Sequence, residues 1–152
     1  MLKLGYNLVM STINTGRVIL GGLLAGLVIN LSETVLNLFV AAQAMDESLK
    51  ARNLEPLGGG PIAGFVIFSF LLGIVTVWLY AAIRPRFGPG VKTAAITGLV
   101  VWFLAYLKSS VANALMGFFP AKLVTLGTIW GIPEIILASI AGAWLYTEAA
   151  NG

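Results

Sequence analysis

The chain has 152 residues, 59% of them hydrophobic and 10% charged, with a mean hydropathy of +0.95 and a formal net charge of +3. Soluble domains carry about 25% charged residues, so this composition belongs to the membrane class. Cysteine and histidine are both absent, which excludes disulfides, zinc sites built on either residue, ordinary His or Cys ligation of haem, and acid–base work by histidine.

Residues Met1 to Gly16 are mixed, with Lys3 the only charge. They read as an interfacial stretch or as an extension of the first helix. A cleaved signal peptide is a poor fit, because no compact apolar core with a small-residue cleavage site stands out. Four apolar stretches follow, about 17–43, 61–83, 91–116 and 121–146. Each has about 20 or more residues, enough to cross a hydrocarbon core ~30 Å thick at 1.5 Å per residue. The expected fold is an all-α membrane protein, a bundle of four transmembrane helices in a single domain.

The connections are short and well marked. Met45 to Gly60 is the only extended polar stretch, and Asp46 and Glu47 followed by Leu49 and Leu54 fit a short surface helix before the Gly58–Gly60 turn. Arg84-Pro85-Arg86-Phe87-Gly88-Pro89-Gly90 should end the second span, since proline cannot continue a helix. Phe118-Phe119-Pro120 turns the chain into the fourth span. Lys3, Arg17, Arg84, Arg86 and Lys92 fall on one side and Lys50, Arg52 and Lys122 on the other, an excess that predicts both termini in the cytoplasm.

The first span carries the most informative pattern. At about 100° per residue, Gly22, Gly26, Asn30, Glu33, Asn37, Ala41 and Ala44 share one face. A carboxyl at mid-membrane costs roughly 2.5–3.5 kcal/mol, so Glu33 should face protein or water. Gly127, Gly131, Glu134, Ala138 and Ala141 repeat that character in the fourth span, which predicts close contact between spans one and four. Glu33 follows Arg17 by 16 residues and Lys108 follows Lys92 by 16, which puts both at one depth.

Together these residues form a candidate intramembrane cluster: Glu33, Lys108 and Glu134, with Asn30, Asn37, Ser109 and Asn113 as hydrogen-bond partners. Two readings stay open. The cluster is either a site for protons or a cationic group, or structural glue in which Lys108 neutralises a glutamate.

Other motifs carry less. Gly88 to Thr93 is not a phosphate loop, because Val91 separates Gly90 from Lys92 and no strand precedes it. Arg84, Arg86 and Lys92 are candidate contacts to lipid headgroups, against ordinary basic anchoring. Trp78, Tyr80, Trp144 and Tyr146 read as an interfacial aromatic belt, and Trp102 and Tyr106 as deeper packed or lipid-facing aromatics. Pro133 should free backbone carbonyls in the fourth span. Glu33-Thr34-Val35-Leu36-Asn37 matches Ser109-Ser110-Val111-Ala112-Asn113, and both even spans end in Trp-Leu-Tyr. A duplicated hairpin or chance similarity between apolar segments accounts for this.

The first-span motif Gly-Leu-Val-Ile-Asn-x-x-Glu-Thr-Val-Leu-Asn, the Arg-Pro-Arg-Phe-Gly-Pro-Gly turn and the Trp-Leu-Tyr endings resemble small four-span bacterial membrane proteins of uncharacterised function. The resemblance covers Arg17 to Glu148 and implies residence in a bacterial cytoplasmic membrane, without an activity or ligand. A first-span glutamate in a chain of this size is also similar to small multidrug resistance exporters, although Lys108 and Glu134 depart from that pattern.

No nucleophile–base pair or metal-ligand set is visible, so no enzyme, metal or cofactor is expected. The expected partners are the lipid bilayer and either another membrane protein or further copies of the chain, with no nucleic acid. The favoured role is an accessory or scaffold subunit of a membrane assembly; the alternative is a small transporter or amphiphile-binding protein using the cluster.

Overall fold

The computed structural model describes residues 13–148; the Lys3 part of the charge-asymmetry argument lies outside them. Four helices long and apolar enough to cross a membrane run Thr15–Val40, Gly59–Phe87, Val91–Met116 and Ala121–Leu145. They are called the first to fourth spans below. A short helix, Ala42–Lys50, follows the first span, as the charge pattern of that loop predicts. It is held by Lys50 Nζ on Asp46 Oδ2 at 2.6 Å and by Gln43 donating to Glu47 at 2.9 Å, both one turn apart. The Asp46 carboxylate raises the Lys50 ammonium above its ordinary value, chiefly through this hydrogen bond.

Local chemistry explains the helix ends. Asn14 caps the first span, its side-chain oxygen accepting from the Arg17 N–H at 3.2 Å. Gly117 takes φ 67°, a left-handed conformation that closes the third span. The second span corrects one expectation. It runs two residues past Pro85, to Phe87, because a proline in the last turn removes a single backbone hydrogen bond and no further turn has to form. The fourth span likewise continues through Pro133, which sits on an exposed face.

Lipid supplies no hydrophobic drive between helices, so close packing of small residues has to hold the bundle. Glycine provides it. A Cβ on Gly26 would meet the Phe70 Cα at 2.6 Å, and one on Gly22 would meet the Ile74 backbone, so the first span lies directly on the second. Gly21 and Gly142 press the first and fourth spans together, a Cβ on Gly21 coming 2.5 Å from the Gly142 carbonyl oxygen. Gly98 sets the third span on Ile135 and Ile136 of the fourth, where Ser139 also donates to the Ala94 carbonyl at 2.8 Å. Spans one and four therefore touch, as expected, but through Gly21 and Gly142; of the faces that carried the expectation, Gly22 and Gly26 lie on the second span and Gly131 on Tyr106 of the third.

Burial is strongly uneven along the bundle. Buried positions begin at Gly73 in the second span, end at Val101 in the third and begin at Gly131 in the fourth. The core of Val18, Ala25, Ile29, Val77, Tyr80, Ala81, Ala94, Val101, Ile135, Ala138 and Tyr146 thus occupies the end where Asn14, Arg84, Val91 and Tyr146 meet. Towards the Ala42–Lys50 end the spans are open, with Phe65, Phe68, Leu104, Val111 and Leu115 all exposed.

The tyrosines near the packed end correct the belt expectation. Trp78 and Trp144 are exposed, but Tyr80 and Tyr146 are buried and stack edge to face with ring centroids 6.0 Å apart. The Tyr80 hydroxyl accepts from the Gly90 N–H at 3.1 Å, and that of Tyr146 from the Asn14 N–H at 3.4 Å. Both spare phenol oxygens close helix ends, which is why they lie inside.

Candidate functional site

The intramembrane polar residues gather where the packed half gives way to the open half. Glu134 is 3% exposed and faces the first and third spans. Tyr106 of the third span donates its hydroxyl to Glu134 Oε1 at 2.8 Å, and the Tyr106 ring lies against Gly131, where no side chain could fit. Trp130 Nε1 donates to Ser32 Oγ at 2.9 Å, tying the fourth span to the first one turn away. Ser32 lies beside the Glu134 carboxylate without closing a hydrogen bond to Oε2, which is buried and has no partner.

Glu33 is partly buried and within electrostatic reach of both Glu134 and Tyr106. Its Oε2 accepts from Asn37 Nδ2 at 2.9 Å, and the same amide reaches the Glu33 carbonyl at 2.8 Å. The two glutamates converge for a simple reason. Side chains lean towards the N-terminus of their own helix, and spans one and four run in opposite directions, so the carboxyls lean towards each other. Asn30 donates to the Gly26 carbonyl at 2.9 Å and the Val66 carbonyl at 3.4 Å, serving the contact with the second span.

Lys108 does not neutralise either glutamate. It is exposed on the third span and forms no ion pair among the described residues. The cause is a π-helical stretch, Trp102–Leu107, in which the Lys108 N–H bonds back five residues to the Phe103 carbonyl. Up to Val101 the inward face reads Thr93, Ala94, Thr97, Gly98, Val101. Continued at 3.6 residues per turn, it would bring Ala105, Lys108 and Ala112 inward. The extra residue in the π turn passes that role to the partly buried Tyr106, Ser110 and Asn113 and swings Lys108 out. A second π stretch, Leu36–Val40, follows Glu33 in the first span, with the Ala41 N–H on the Leu36 carbonyl at 2.7 Å; Asn37 is exposed.

The structure thus brings Glu33, Glu134 and Asn37 to one region, uses Asn30 for packing, and leaves Lys108 and Ser109 on an exposed face. Asn113 lines a shallow groove of about 180 Å³ with Met45, Ser110 and Phe119. A second groove of about 210 Å³ lies between the Ala42–Lys50 helix and the start of the fourth span, where Glu47 and Lys122 face it. Neither groove reaches Glu33 or Glu134. The partners that sequence reasoning missed are Ser32 and Trp130, and the Tyr106 hydroxyl; one signal was available, since Trp130 stands one turn before Glu134.

The three headgroup candidates separate. Arg86 and Lys92 are exposed at the packed end, while Arg84 turns inward. Its guanidinium lies 5.6 Å from the centre of the Tyr146 ring, with Nη1 3.3 Å from Glu148 Oε1. At the other end Arg52 donates to the Gly117 carbonyl at 2.9 Å and lies over Phe119, fixing the loop to the turn between spans three and four. Among the described residues no group of three or more acidic side chains could hold a metal.

Compared with known proteins, the chain matches no family model, no curated protein and no solved structure.

Proposed function

We propose that this protein is a non-enzymatic accessory or scaffold subunit that packs against other protein within the bilayer. One observation carries the reading. The half of the bundle containing Lys108, Ser109 and Asn37 is open, so a cation and two polar groups at membrane depth have no covering helix among the described residues. A lysine facing lipid at that depth costs about 2.5–3.5 kcal/mol on insertion scales, and a contact with protein offsets it. The protein resides in a bacterial cytoplasmic membrane with both termini in the cytoplasm, and Arg86 and Lys92 rest among anionic headgroups.

Purification from native membranes in mild detergent, with identification of the bound chains, tests this reading. The account expects a stable protein partner or a defined oligomer. Recovery as a lone monomer would contradict it.

A second reading rests on the unpartnered Oε2 of Glu134 beside Ser32 and within reach of Glu33. A proton or a cationic group there would make the protein a small transporter. In that case Glu33→Gln abolishes substrate-coupled proton movement in liposomes; unchanged flux, or none from the parent protein, removes the idea.

A further inference from the structure

Among the described residues of a single copy, two opposite charges at one depth have no counter-ion. Lys108 and Glu33 each follow the basic residue that opens their span by 16 residues, about 24 Å of helix in the first span and slightly less in the third, where the π turn takes up one residue. Glu33 has an amide on one oxygen and no cation beside it among the described residues, and Lys108 has no anion. Snorkelling is a poor escape for Lys108. The nearer end of its span is Met116, whereas its side chain leans towards Val91. The neighbours Ala105, Ser109 and Ala112 are small and exposed, which lets another helix approach closely. Thr34 and Asn37 leave the surface beside Glu33 exposed as well.

We infer that a second copy of this chain covers this face, with Lys108 of each copy paired to Glu33 of the other about a two-fold axis along the membrane normal. Such an axis keeps every residue at its own depth, so it pairs only charges that already share one, as these do. The arrangement rests on the subunit reading above and names the partner. It forms two identical ion pairs away from water and fills the open half of each bundle with the other.

Charge exchange tests it on the full-length chain in liposomes, with the oligomeric state read by single-molecule photobleaching. Glu33→Lys and Lys108→Glu should each weaken self-association at least about tenfold, and the double exchange should restore it. The milder Glu33→Gln and Lys108→Gln guard against failed insertion and should weaken it in the same direction. Because the chain has no cysteine, Asn37→Cys and Ala112→Cys, each one turn beyond its charge, offer an independent readout. Mixed together, these two variants should form a disulfide between copies. A monomeric parent protein, single exchanges that leave the dimer intact, or no cross-link in the mixture would overturn the inference. A monomer that still co-purifies with a different membrane protein overturns the dimer alone and leaves the subunit reading standing.

Discussion

Tyr106 and Glu134 meet through a 2.8 Å hydrogen bond between neighbouring spans, with the tyrosine ring seated on Gly131. Two residues further on, Lys108 is exposed. The π turn between Val101 and Lys108 produces both outcomes, delivering a neutral donor to the buried carboxyl and turning the cation away from it.

The hydrogen bond gives the first prediction. Tyr106→Phe leaves both Glu134 oxygens unpartnered and should destabilise the fold by about 1–3 kcal/mol. Glu134→Gln keeps an acceptor for Tyr106 and places a donor beside Ser32, so its cost should stay within about 1 kcal/mol. Reversible unfolding in mixed micelles measures both; equal losses would show that the bond is not the source.

Glycine packing gives a second, with a control inside the chain. Gly73→Ala drives a methyl into the backbone of Gly22 and Gly26 and should cost about 1–3 kcal/mol. Gly64→Ala, on the same span with nothing within 4 Å of the added carbon, should be neutral or slightly stabilising. Thermal unfolding midpoints of the two variants decide the matter.

How much of this was legible in the sequence depends on the scale asked about. The four spans follow from length and hydropathy; the contact of spans one and four was expected on Gly22, Gly26, Gly131 and Ala138, whereas Gly21 and Gly142 make it. The cluster was only half legible. Helical projection assumes an unbroken 3.6-residue period, and the π turn at Trp102–Leu107 breaks it where the phase of Lys108 is set. Ser32 and Trp130 were missed because each belongs to a contact between distant segments. Tyr80 and Tyr146 resemble belt residues by position alone; their hydroxyls close helix ends, which no local pattern announces. The matched segments at Glu33 and Ser109 also diverge in detail. One π stretch follows its segment's first residue and the other precedes it.

The phase argument supports a third prediction. Deleting Leu104 removes the residue accommodated by the π turn and should restore plain α-helix with Tyr106 still inward and Lys108 still outward, because the two changes cancel in phase. An alanine inserted after Val101, with the π turn kept, should instead rotate Lys108 by about 100° towards the fourth span, and an unpaired cation driven into that contact should destabilise the bundle by about 3 kcal/mol or more. Lys108→Leu in the chain with the insertion should recover much of that loss. Stability of the three chains in one detergent, compared side by side, checks it.

The Tyr80–Gly90 bond at the packed end supports a fourth. Tyr80→Phe should speed hydrogen exchange at the Gly90 amide about fivefold, the effect of losing roughly 1 kcal/mol of local protection. The same change should leave amides of the Ala42–Lys50 helix untouched, since that helix lies at the opposite end.

The central claim is that protein covers the outward face of the third span. A photoreactive lysine analogue at position 108, activated in native membranes and mapped by mass spectrometry, tests it most directly. The account predicts adducts to another chain, concentrated around Glu33 of a second copy. Adducts to lipid alone, or to Glu33 or Glu134 within the same chain, would contradict it.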